Sequence, residues 1–105
     1  TVLDPGWTPA DATEGNGAVW PTLGQAVWAL RGATSYPQVL RRVIDLGGDT
    51  DTVAAVAGGL AGAVFSTDGI PDRWRAVLHG RVPGFGDHRW TAPDLTTLAS
   101  TLAAG

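Results

Sequence analysis

Apolar side chains recur along this chain at intervals of three and four residues, and the runs are broken by Gly and Pro. From Pro21 to Arg31 the set Leu23, Ala26, Val27 and Leu30 falls at i, i+3, i+4 and i+7, and Pro21 suits a first helical turn. A helix is predicted there, ended by Gly32. Ser35 is a natural N-cap with Pro37 just inside the start. Val39, Leu40, Val43, Ile44 and Leu46 then form a second stripe that Gly47-Gly48 stops. Asp49 to Phe65 is the most apolar segment and the predicted central helix, with Val53, Val56, Ala57, Leu60, Ala61 and Val64 on one side. Gly58, Gly59 and Gly62 are expected to let neighbouring helices approach closely.

After a loop at Ser66 to Gly69, the stretch Asp72 to His79 carries Trp74, Val77 and Leu78 at helical spacing and predicts a short fourth helix. Arg81 to Pro93 mixes Gly and Pro with Phe85 and Trp90 and predicts an ordered loop pinned by aromatic anchors. Asp94 to Ala103 predicts a last helix on Leu95, Leu98 and Leu102. No segment alternates apolar and polar residues between turn signals, so the predicted fold is all-α. Residues 1–16 show neither period and read as a loop or peripheral arm, leaving 17–105 as the helical portion.

At 105 residues the chain is one domain at most, and 44% hydrophobic against 16% charged residues argues for a folded chain despite 15 Gly and 7 Pro. The absence of Cys excludes disulfides, thiolate metal sites and a cysteine nucleophile, with a cytoplasmic setting as the default. A net charge of -3, with no Lys and scattered Arg, offers no basic stripe for a phosphate backbone, so nucleic acid is not expected as a partner. The uncharged stretch from Thr52 to Thr67 falls short of the ~20 residues a bilayer span needs, so no membrane partner is expected either. The start at Thr1 lacks the charged and apolar regions of a signal peptide and reads either as the product of a cut or as an arbitrary boundary within a longer chain.

One run can carry chemistry: Gly47-Gly48-Asp49-Thr50-Asp51-Thr52, where a loop opens the central helix. Two carboxylates and a hydroxyl within four residues supply the oxygen ligands that a hard divalent cation such as Mg²⁺ prefers. The glycines leave room for a bound group and allow backbone angles closed to other residues. A plainer reading stands beside this one. Asp49 is a favoured N-cap, Asp51 suits the first helical turn, and spacing by itself favours capping.

The run from Val43-Ile44-Asp45-Leu46-Gly47-Gly48-Asp49-Thr50-Asp51-Thr52 through Val53-Ala54-Ala55-Val56-Ala57-Gly58-Gly59-Leu60-Ala61-Gly62-Ala63 resembles the C-terminal signature of the ADP-ribosylglycohydrolase family. Thr22-Leu23-Gly24-Gln25-Ala26-Val27-Trp28-Ala29-Leu30 and Gly69-Ile70-Pro71 followed by Trp74 are also similar to that family, so the resemblance covers roughly residues 15–102. It implies the C-terminal helices of an orthogonal all-α fold. It also implies two Mg²⁺ ions that bind the ribose of an ADP-ribosyl group and help water cleave its glycosidic bond to a protein side chain or related acceptor. By position Asp49, Asp51 and Thr52 match the family's C-terminal metal ligands, with Gly48 beside the ribose and Gly15, Asn16 and Gly17 resembling a loop that lies by the adenosine.

The chain departs from the family in three ways. Family members are much longer; their other metal ligands, a Thr-Asp-Asp run, and a catalytic Glu lie in an N-terminal portion with no counterpart here; and Ala18 stands where relatives often carry an aromatic ring. The resemblance therefore implies half a site, its two ions completed by residues outside this chain and its general base unidentified. A separate N-terminal chain, a cut near Thr1 and a fragment that has lost catalysis all fit, and each implies exposed apolar surface that an N-terminal partner chain or a second copy would cover. Two rivals stand beside the hydrolase: a non-catalytic helical structural or interaction module that keeps the fold, and a relative that cleaves another N- or O-glycosidic bond.

Elsewhere, His79 and His88 pair with no residue at a metal-binding spacing and read as structural or exposed. The five Trp read as core or interface anchors, with Trp20, beside the Gly15 to Gly17 loop, the one placed to stack on a base. Arg41 and Arg42 suit a helix C-terminus, and Asp72, Arg73 and Arg75 a solvated face.

Overall fold

A computed structural model describes all residues from Thr1 to Gly105, which form two compact units, Thr1–Ile70 and Pro71–Gly105. The first unit holds three helices: α1 (Val19–Arg31), α2 (Tyr36–Asp45) and α3 (Thr50–Phe65). Each boundary has a local cause. Ser35 caps α2, its hydroxyl accepting from the Gln38 amide at 3.4 Å, and Pro37 occupies the first turn. Gly32 follows α1, where a Cβ would lie 2.3 Å from the Arg42 guanidinium, which stacks on the Trp28 ring at 4.0 Å. That stacking gives Arg42 a structural place, although its Nε finds no hydrogen-bond partner.

The three helices pack against one another around Ala26, Ala29, Val39, Val43, Val53, Ala57 and Ala61, all fully buried. No fully buried side chain exceeds Val in size, so the helices approach closely and the core is thin. In α1 the buried face is Thr22, Gln25, Ala26 and Ala29, with Gly24 beside it, while Leu23, Val27 and Leu30 sit half-buried at its edge. The helical period is as predicted, but the stripe is turned by about one residue toward small and polar side chains. The expected close approach is met at Gly58, whose carbonyl accepts from Tyr36 Oη at 3.3 Å. Gly59 and Gly62 instead face open space, and Val64 on the same helix is 61% exposed.

Residues 1–16 do not stand apart from this unit. Trp7 and Val2 pack over Gly24, and Arg31 donates to the carbonyls of Leu3 and Asp4 at 2.9 and 3.3 Å. A single 3₁₀ turn at Pro9–Asp11 is tied by the Thr8 amide donating to Asp11 at 2.8 Å. The break between compact units therefore comes after Ile70, whereas the sequence pattern breaks after Asn16.

In the second unit, α4 (Asp72–Val77) stops two residues earlier than predicted because Leu78 is extended. His79–Gly80 forms β1, paired antiparallel with β2 (Trp90–Thr91), His79 opposite Thr91 and Gly80 opposite Trp90. These two-residue strands are too short to show any period, which is why the pattern reads as loop. The predicted aromatic anchoring is present: Trp90 meets Phe85 and His88 with perpendicular rings, their centroids 5.9 and 4.9 Å away. Finally, α5 (Ala92–Ala104) begins at Thr91, whose amide and hydroxyl both meet Asp94 Oδ2, at 2.9 and 3.0 Å. Its predicted apolar face exists but lies open, with Leu102 71% exposed. No helix is long and apolar enough to cross a membrane.

Two outcomes follow from this packing. Ala57→Leu forces two extra branches into the space between helices and should lower the unfolding free energy by about 1–3 kcal/mol, seen as a lower urea midpoint at unchanged slope; an unchanged midpoint contradicts the close packing. The hydrogen bonds from Thr91, with a smaller contribution from His88, hold the Asp94 pKa below the ordinary aspartate value. Stabilisation from a depressed carboxyl is fully present above the ordinary aspartate range and is lost as pH falls through the depressed value. Asp94→Ala should therefore reduce far-UV helicity at neutral pH, with the difference from the parent vanishing in acid; a difference that persists at the lowest pH contradicts the capping role.

Candidate functional site

The site grows from the turn that joins α2 to α3. Gly47 and Gly48 adopt φ of 77° and 72°, left-handed conformations that side chains bearing a Cβ resist. Their neighbourhoods differ. A Cβ on Gly47 would meet nothing within 4 Å, whereas one on Gly48 would lie 2.4 Å from Asn16 Oδ1. Gly47 is thus the glycine that faces open space, and Gly48 makes room for Asn16.

Asn16 precedes α1 in sequence and holds this turn from the side. Its Nδ2 donates to the Gly47 carbonyl at 2.8 Å and to Gln25 Oε1 at 3.1 Å, and its Oδ1 accepts from the Asp49 amide at 2.7 Å. A backbone acceptor on one side and a backbone donor on the other fix which way the Asn16 amide points. The Asn16 carbonyl accepts the Thr22 hydroxyl. Gly17 completes the contact, since a Cβ there would come within 2.9 Å of Asp49 Oδ2. Gly15 stays exposed and supplies its carbonyl to the Ala18 amide at 3.1 Å.

At the N-terminus of α3, Asp49 occupies the N-cap position with φ -81° and ψ 68°, outside the extended geometry usual for a cap, and its side chain makes no capping hydrogen bond. The Thr52 amide is bonded instead to Asp51 Oδ1 at 3.1 Å. A hydrogen bond shared with the Asp51 carboxyl first, then the Thr52 hydroxyl, and last the Thr52 backbone amide lying outside regular capping geometry, hold the Asp49 pKa below the ordinary aspartate value. Asp49 is half-buried, Asp51 and Thr52 are exposed, and neither carboxylate has a basic ion-pair partner. Two carboxyls within hydrogen-bonding reach and a hydroxyl beside them form a set of hard oxygen donors suited to a divalent cation, where the alternative is a proton shared between acids. No group of three or more His, Cys, Asp or Glu gathers anywhere in the chain, so this set holds two carboxylates and no more.

The structure therefore brings together Asn16, Gly17, Gly48, Asp49, Asp51 and Thr52. Trp20 is 62% exposed at the start of α1 and lines an apolar hollow with Val2 and Leu3. His88 meets Asp94 at 3.4 Å in the second unit, and Arg75 forms an exposed pair with Asp72. Gln25 and Thr22 are the supporting residues that the sequence pattern does not single out. Their signal is a polar pair at i and i+3 on the same face as Ala26 and Ala29.

Comparison with known proteins gives one consistent result. The family model described as ADP-ribosylglycohydrolase matches residues 3–104. The chain is 36% identical over 64 residues to the ADP-ribosylarginine hydrolase Tri1 of Pseudomonas putida strain GB-1, a match covering 61% of this chain and 17% of that protein. It is 49% identical over 46 residues to human ADP-ribosylhydrolase ARH3, covering 44% and 13% respectively. It is also 40% identical over 48 residues to the ADP-ribosyl-[dinitrogen reductase] glycohydrolase of Rhodospirillum rubrum, covering 46% and 16%. The matched segment thus spans less than a fifth of the length of these relatives. No solved structure matches the chain.

Because Gly47 and Gly48 share nearly the same φ, alanine at each separates conformational strain from crowding. Gly47→Ala should cost about 1–2 kcal/mol, the strain of a left-handed L-residue. Gly48→Ala should cost more, since its Cβ meets Asn16. Equal losses in urea denaturation would contradict the placement of Asn16 against the turn.

Proposed function

The chain belongs to the ADP-ribosylglycohydrolase family, and from that premise we propose that it is the C-terminal part of a Mg²⁺-dependent hydrolase that frees ADP-ribose from a protein side chain or related acceptor. The observation that carries this reading is the Asp49 carboxylate. It sits at the N-cap of α3 with a ψ of 68°, outside the extended geometry of a regular cap, and lies beside Asp51 and Thr52. The names of the relatives agree on the ADP-ribosyl group and differ in what carries it, arginine in one and dinitrogen reductase in another. The segment they share with this chain suits the ADP-ribose side of the reaction, and the acceptor would be chosen elsewhere.

Asp49, Asp51 and Thr52 would hold the metal through oxygen, with further ligands and the general base supplied by residues outside these 105. When bound, a divalent cation pair supplies orientation of the ribose hydroxyls and stabilisation of charge at the glycosidic centre. The chain's own residues prepare for this. The glycine turn keeps a low profile at Gly47, Asn16 holds the turn in place, and the Gly15 to Gly17 loop lies beside Asp49, where it would border the nucleotide. The open apolar face of α3 around Gly59, Gly62 and Val64 supports association with the remainder of the fold, as a separate chain, a covalent one or a second copy.

In the complete assembly, Asp49→Ala and Asp51→Ala should each reduce Mg²⁺-dependent release of ADP-ribose to the metal-free rate. Asp45→Ala, at the exposed C-terminal end of α2, should leave turnover unchanged. Near-normal turnover in the Asp49 and Asp51 variants would remove the metal assignment and leave a non-catalytic helical module as the better account.

A further inference from the structure

The core of the first unit is Ala and Val, and only two polar side chains are buried in it, Thr22 at 5% exposure and Gln25 at 7%. Buried polar groups are tolerated when they are bonded, and each of these meets Asn16. Asn16 in turn spends both Nδ2 hydrogens and one Oδ1 lone pair inside the protein, bridging the Gly47 carbonyl and the Asp49 amide, the two ends of the strained turn. The Asp49 amide, held this way, pairs with a backbone ψ of 68° that keeps the residue out of the extended geometry from which an aspartate folds back over its helix.

We propose that Asn16 is a positioning residue for the cation site, braced by Gln25. By tethering the Asp49 amide and the Gly47 carbonyl, it fixes the backbone from which the Asp49 carboxylate meets Asp51 and Thr52 and holds that backbone out of the extended geometry of a regular helix cap. The inference rests on the metal assignment of the preceding subsection. It adds that the donor set is built by a contact reaching across 33 residues of sequence, from the loop before α1. Residues that orient metal ligands typically change metal affinity about 10–100-fold when removed.

The test is a Mn²⁺ titration of the complete assembly with these 105 residues ¹⁵N-labelled, followed by NMR, reading paramagnetic broadening residue by residue and its reversal by Mg²⁺. In the parent, broadening should centre on Gly17 and on Asp49 to Thr52. Asn16→Ala should weaken Mn²⁺ binding about 10-fold or more while amides in the second unit keep their shifts. Gln25→Leu should weaken it to a lesser degree, and Gln25→Glu, which keeps an oxygen for Asn16 Nδ2, should restore binding close to that of the parent. If the parent shows no localised broadening, the metal assignment itself fails and the inference with it. If the parent binds and Asn16→Ala binds equally well, the positioning role is overturned while the metal assignment stands. Should Asn16→Ala fail to fold, Gln25→Leu decides: weakened binding supports the role and unchanged binding overturns it.

Discussion

The side-chain amide of Asn16 bridges the Gly47 carbonyl and the Asp49 amide, and the arrangement of the candidate site follows from that bridge. Without it, two consecutive glycines in left-handed conformations would leave the start of α3 free to choose its own cap, and Asp49 is the obvious candidate. With it, the Asp49 carboxylate lies beside Asp51 and Thr52 and under Gly17. One neutral amide thus sets the backbone geometry at which this acidic helix start begins.

The bridge depends on the thinness of the core. Ala26, Ala29, Ala57 and Ala61 bring the helices of the first unit close together, and close packing holds Gln25 and Thr22 where they reach Asn16. Larger side chains on that face would separate the helices and draw the loop before α1 away from the turn before α3. A core whose largest fully buried side chain is Val also removes little apolar area from water, and much apolar surface stays outside, on α3 at Val64 and on α5 at Leu102.

The five helices were legible because their apolar period and their stops at Gly32, Gly47-Gly48 and the residues flanking Pro71 are local signals. The acidic run was legible as a row of oxygen donors at a helix start, but its geometry was not. That geometry is set by ψ at Asp49 and by a hydrogen bond to a residue 33 positions earlier, and spacing carries neither. The exact buried face of α1 escaped for a related reason. Leu23, Val27 and Leu30 dominate any hydrophobic count, yet the closest packing belongs to smaller neighbours beside polar residues that serve Asn16. The β1 to β2 pair was beyond reach because two residues on each side carry no alternation.

The central claim is that Asp49, Asp51 and Thr52 are one half of a divalent-cation site and not an acidic helix start. The most direct measurement is anomalous diffraction from crystals of the complete assembly grown with Mn²⁺. The account predicts a Mn²⁺ peak in contact with oxygen atoms of Asp49, Asp51 and Thr52, with the remaining protein ligands drawn from outside these 105 residues. A well-ordered α3 terminus with no peak, and with the Asp49 carboxylate folded onto the amides of the first turn, would contradict it.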